Sequence, residues 1–201
     1  MCDFGILAAG YFMYDFLTML LVNMTAGMFL LSLFFIRDEA AEIRTTWVPP
    51  FAMSGLVATA GGAFITFAWP LPGAMNMAFG EMSIFYGILM LGASLAVAKH
   101  YNMLGVGVYA MFAGAAAVVI GARVWNMWLT AQPMLSSAGF ILSGAGGIFA
   151  GAALATRARP LRILTAICFF GAACIWGLTG YLSYWMHMAA LAGHRGLFIP
   201  T

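Results

Sequence analysis

Apolar runs of about twenty residues follow one another along this chain, separated by short polar turns, and nothing constrains its fold more strongly. A run of that length is what a helix needs to cross a hydrocarbon layer roughly 30 Å thick. Of the 201 residues, 64% are hydrophobic and only 7% are charged, against roughly 25% charged in soluble domains. The sequence therefore predicts an all-α, polytopic transmembrane helix bundle, one membrane domain over residues 1–201. Six spans fit, near residues 10–36, 51–69, 81–98, 103–122, 134–155 and 161–190, with a seventh if the N-terminal segment is separate.

The span ends carry their own signals. A straight helix from Phe4 to Ile36 would reach about 50 Å, too long for the bilayer, so the first ten residues are expected along the interface. Pro49 and Pro50 stand at the entrance of the second span, where proline forfeits no helical hydrogen bond. The sixth span is long enough to require tilt or protrusion. Arg37, Arg44, Lys99, Arg157, Arg159 and Arg162 fall on one side and only Arg123 and Arg195 on the other. By the positive-inside rule the basic loops are cytoplasmic and both termini lie outside. The basic residues form no stripe, so no nucleic-acid partner is expected.

This topology collects most of the chemistry at the outer end. Asp15, Asn76, Glu81, Arg123, Gln132 and His187 form the expected polar cluster, ringed by Trp69, Trp125, Trp128 and Trp185 as an interfacial belt. Glu81 is read as the first residue of its helix, where the macrodipole favours a carboxylate. Arg123 is read at a helix C-terminus, with pairing to Glu81 as an alternative. Asp15 lies either inside the hydrocarbon or at the interface, depending on where the first helix begins. It belongs to a polar seam with Tyr11, Thr18, Thr25 and Ser32 at spacings of 4, 3, 7 and 7. In the fifth span Gly139, Ser143, Gly147 and Gly151 make a small-residue ridge suited to close helix packing. The two hairpins formed by spans two to five look alike, which raises an internal duplication on thin residue identity.

Two cofactor readings centre on the same end. His187, alone or with His194, is the candidate metal ligand. About half of the 16 methionines lie nearby, and thioethers with imidazole suit Cu(I), although methionine also fills irregular cores. A haem b would take His187 as an axial ligand, with His100 excluded because it sits at the opposite end. The simplest expectation is no cofactor at all. Cys2, Cys168 and Cys174 make no ligand spacing. No GxSxG, Walker loop, GxGxxG or HExxH is present, so self-contained catalysis is not expected.

WPLPG (Trp69–Gly73), NMAFGE (Asn76–Glu81), GAR (Gly121–Arg123), Gln132–Pro133 and TGYLSYWMH (Thr179–His187) together resemble a domain-of-unknown-function family of small prokaryotic membrane proteins. The resemblance covers nearly the whole chain. It implies a compact helical bundle in the prokaryotic plasma membrane and brings no assigned activity. Residue by residue, the foremost reading is an accessory subunit of a larger membrane complex, with a respiratory or other redox assembly as the leading candidate and lipid and other subunits as partners. The alternatives are a small transporter or channel with an outer polar vestibule, and a haem- or copper-binding protein using His187.

Overall fold

The computed structural model describes residues 15–37 and 45–194, with side chains as far as residue 189. Six helices long and apolar enough to cross a membrane make up the described chain, and no strand occurs among those residues. They are α1 (Phe16–Ile36), α2 (Val48–Ala68), α3 (Met82–Ala98), α4 (Leu104–Met127), α5 (Pro133–Thr156) and α6 (Arg159–His194). A 3-10 turn, Thr45–Trp47, leads into α2, and a π-helical turn, Asn76–Glu81, leads into α3.

The first helix begins at Phe16, with Asp15 as its cap: the carboxylate accepts from the Thr18 amide at 3.4 Å. The first ten residues, expected along the interface, and Tyr11 of the seam lie outside the described residues. Two expected boundaries move. The helix of the third span starts at Asn76, so Glu81 is its sixth residue and not its first. The macrodipole argument for Glu81 therefore fails, because the free amides lie a turn and more earlier. Asn76 is what permits the early start. Fully buried, its side chain accepts from the Leu71 amide at 2.8 Å and donates to the Leu71 and Gly73 carbonyls, folding the WPLPG turn onto the helix. The fourth span runs on to Met127, so Arg123 and Asn126 belong to its last turn.

Tight pairs and loose seams organise the bundle. The α2–α3 and α4–α5 hairpins and the α1–α6 pair are closely packed, and α6 also packs on α5. By contrast α3 meets α4, and α1 meets α2, through far fewer residues. Glycine explains the difference. A Cβ on Gly62 would lie 2.8 Å from the Gly80 carbonyl oxygen, closer than any real side chain approaches. Gly121 and Ser137 repeat that contact in the second hairpin, at 3.0 Å. Further along, Gly55 meets Gly87 as Gly114 meets Gly144. At the far end the Ser94 hydroxyl reaches the Val48 carbonyl at 2.8 Å, where Gly107 faces Gly151 in the other hairpin.

The two hairpins thus share one plan. Gly55 and Gly62 stand two heptads and one heptad before Trp69, as Gly114 and Gly121 stand before Trp128. Gly80, Gly87 and Ser94 are spaced from Asn76 as Ser137, Gly144 and Gly151 are from Pro133. The turn within each hairpin follows a left-handed tryptophan, Trp69 at φ 51° and Trp128 at φ 51°. Trp185, near the end of α6, is also exposed at this end.

The small-residue ridge of α5 divides between two neighbours. Gly144, Gly147 and Gly151 face α4, while Gly139, Ser143 and Gly146 face α6. Trp176, on α6, lies flat over Gly139 and donates its indole N–H to Ser143 Oγ at 3.0 Å. Its ring meets Phe140 edge-on at 5.1 Å and Phe79 at 6.4 Å. This trio joins the π-helical turn, α5 and α6.

Candidate functional site

The residues expected at the outer end are dispersed over several local arrangements. His187 Nδ1 stands 2.9 Å from an Asp15 carboxylate oxygen and 3.4 Å from the Thr18 hydroxyl, tying the start of α1 to α6. Thr25, further down the same seam, packs against Gly177 of α6. Beyond His187, α6 continues about two turns, to His194, whose side chain lies outside the described residues. Arg123 donates to Asn126 at 3.0 Å on the same helix. Glu81 is half-buried and makes no ion pair with a described residue. Gln132 caps α5 by position, without a side-chain hydrogen bond to it. Asn76 serves the turn described above. Among the described residues no group of three or more His, Cys, Asp or Glu side chains converges as a metal site.

A different site lies toward the basic end, where two cavities adjoin. The deeper one is an apolar slot of about 110 Å³ between α3 and α4, backed by α1, α5 and α6. The slot exists because of what α4 turns toward it. Gly107 and Gly114 are drawn onto α5 by their backbone contacts, so over its middle turns the neighbouring face of α4 presents Ala110, Ala113 and Ala117 to the slot, with the larger Val106 a turn before them. Across from them stand Phe85, Leu89 and Met90 of α3. Phe85 touches Tyr109 with ring centroids 6.2 Å apart, across the same seam.

The slot wall offers hydrocarbon and thioether and little else. Its two hydroxyls already have protein partners: Tyr86 is bonded to Ser54 Oγ at 2.8 Å, and Ser143 donates to the Gly139 carbonyl at 2.7 Å. An apolar cavity of about 150 Å³ stays dry and takes a benzene ring, so this slot, at about 110 Å³, is of the dry kind but smaller, and a bulkier guest requires the seam to widen. Its shape is elongated. On α1 the lining extends from Met24 to Phe35, about 16 Å at the helical rise, roughly half the hydrocarbon thickness.

Phe34, Phe35, Met103 and Leu154 line both the slot and a wider vestibule of about 610 Å³. Among the described residues the vestibule's charged lining is basic: Arg37, Arg157 and Arg162, joined by His100, Tyr101 and Asn102. Arg162 reaches across from α6 to the end of α1, donating to the Phe35 carbonyl at 3.2 Å and to the Arg37 carbonyl at 2.7 Å. A guanidinium is well placed there, against the negative end of the helix dipole. His100 and Arg157 close the two equivalent hairpins, both in left-handed backbone at φ 54° and 56°, where glycine is the usual occupant. Sequence reasoning treated these cations only as loop charges. The seven-residue glycine spacing on α4, with alanines between, was the available signal.

Fold and site together define a multi-pass membrane helix bundle with an apolar slot and a basic mouth. Residues 11–190 match the family described as Protein of unknown function (DUF981), and the chain belongs to that family. No curated protein and no solved structure matches it.

Proposed function

We propose that this protein binds an amphipathic molecule taken from the bilayer, with its hydrocarbon part in the α3–α4 slot and its polar part in the basic vestibule. The observation that carries the reading is the adjacency of the two cavities, which share Phe34, Phe35, Met103 and Leu154 in their walls. Their position agrees with it, since membrane proteins built from repeated helix units commonly bind where the units meet. Tight glycine packing inside each hairpin and a loose seam between them let the hairpins part without unfolding. The test is to purify the full chain in mild detergent and analyse bound lipid by native mass spectrometry. Ala113→Phe, which fills the slot, is expected to abolish the adduct, while Ile88→Phe on the exposed face of α3 leaves it intact. An adduct of equal abundance in both variants overturns the reading.

A second reading, an accessory subunit of a larger membrane complex such as a redox assembly, draws on α4. Only 17% of its membrane window is buried, against 39–50% for the other helices, and Val108, Phe112 and Val119 are exposed on it. The α5 ridge that suggested docking is occupied by α4 and α6 of the same chain, so α4 supplies the only support considered. Native electrophoresis after gentle extraction tests it. One discrete larger assembly of fixed composition is expected, and a monomer alone overturns it.

A further inference from the structure

We infer that the molecule taken at this seam is an anionic membrane lipid, its phosphate or carboxylate headgroup held between Arg157 and His100. This rests on the binding reading above and adds the charge and anchoring of the ligand. The two side chains come from equivalent places, the inner ends of α5 and of α3, so each hairpin delivers one cationic or donor group to the same mouth. Arg157 makes no side-chain hydrogen bond to a described residue, whereas Arg162 is engaged by the end of α1. Arg37 and Arg162 have other partners and contribute field. No carboxylate belongs to the described lining.

Geometry fixes the kind of anion. The slot's lining spans about half the hydrocarbon thickness and its polar wall atoms are satisfied internally, so an apolar group suits it and a polar one does not. Polar contacts are available only at the basic mouth, where Tyr101 and Asn102 add a hydroxyl and an amide. Charge-assisted hydrogen bonds are the stronger class, and guanidinium matches phosphate and carboxylate in shape. The in-chain competitor is the segment after Arg37, which carries Asp38, Glu39 and Glu42.

The experiment titrates the detergent-purified full chain with dioleoyl phosphatidic acid, with dioleoylglycerol, which has the same tails and no phosphate, and with inorganic phosphate. Bound fraction is read by native mass spectrometry. Phosphatidic acid is expected to bind at least about tenfold more tightly than dioleoylglycerol, which a charge-assisted hydrogen bond supplies. Arg157→Gln with His100→Gln is expected to erase most of that preference, and Arg157→Lys to keep part of it. Ala113→Phe is expected to abolish binding of both lipids. Equal binding of the two lipids, unchanged by Arg157→Gln and His100→Gln, overturns the anionic assignment while the slot reading stands. Lipid binding indifferent to Ala113→Phe overturns the slot reading itself. Inorganic phosphate binding as tightly as phosphatidic acid marks a plain ion site and overturns the lipid. Phosphatidic acid binding only after Asp38→Asn, Glu39→Gln and Glu42→Gln identifies the acidic segment as the occupant and also overturns the inference.

Discussion

Gly55 and Gly87 meet backbone to backbone: a Cβ on Gly87 would lie 2.8 Å from the Gly55 carbonyl oxygen, and one on Gly55 2.9 Å from that of Gly87. The contact is reciprocal, and Gly114 with Gly144 reproduces it in the next hairpin. In a bilayer, where lipid is as apolar as leucine, such close approach supplies packing that hydrophobicity cannot.

Gly87→Ala should therefore force α2 and α3 apart. The obstacle is backbone, which cannot rotate away, so a loss of about 1–3 kcal/mol, the usual range for overpacking, is expected. Gly105→Ala is the control, because nothing lies within 4 Å of a Cβ there. Removing a helical glycine should leave stability level or raise it by about 0.5–1 kcal/mol. Thermal unfolding in a single detergent, followed by loss of the monodisperse peak, separates the two. Equal melting temperatures would sink the packing argument.

Asn76 carries a different kind of load. It satisfies one amide and two carbonyls of the 71–73 turn from a fully buried position. Asn76→Ala removes those three bonds; Leu71 is half-buried and Gly73 exposed, so water takes over part of them and the net loss is about 0.5–1.5 kcal/mol per bond that water does not replace. Asn76→Asp should do little better, since a carboxylate presents only acceptors to the Leu71 and Gly73 carbonyls. Stability loss in both variants, with faster proteolysis within the 69–76 turn, is the expected result. Wild-type cleavage rates in Asn76→Asp would remove the amide donor from the account.

What the sequence made legible and what it hid have physical causes. Length and apolarity alone locate the six spans, because the bilayer fixes both. The turn residues Trp69, Pro70, Pro72 and Gly73 mark one end of a helix correctly. They do not reveal that Asn76 starts the next helix five residues before Glu81, since that depends on a side chain folding back onto the turn. The α5 ridge was visible at four-residue spacing, yet the packing that repeats between hairpins follows seven-residue spacing on two helices at once. The slot was hidden for a further reason. It is a deficit of side-chain volume where Ala110, Ala113 and Ala117 face α3, and one helix read alone shows no deficit. Arg162 capping the end of α1 joins residues 125 apart in sequence, which no local pattern encodes.

Trp176 joins three parts of the molecule at once. Trp176→Phe keeps the ring over Gly139 and against Phe140 but removes the donor to Ser143. Interhelical hydrogen bonds in membranes average about 0.6 kcal/mol, so a small loss is expected. Trp176→Ala, which empties the space, should cost about 3–5 kcal/mol. A Phe variant as unstable as the Ala variant would assign the role to the hydrogen bond in place of the packed ring.

Asp15 and His187 form the contact that most resembles a functional pair, and its exposure argues for a modest role. The His187 and Asp15 side chains are 46% and 29% exposed, so water competes for both partners. Exposed ion pairs are worth about 0.2–1 kcal/mol in double-mutant cycles. Thr18, buried against the same imidazole, adds a weak contact and fixes the register of α1 against α6. A cycle of Asp15→Asn, His187→Gln and the double variant is expected to give a coupling within that range, with lipid binding at the basic mouth unchanged. A coupling of several kcal/mol, or loss of lipid binding, would mean the outer end is linked to the slot about half a bilayer away. The trio of Phe79, Phe140 and Trp176 would then be the element through which that link must pass.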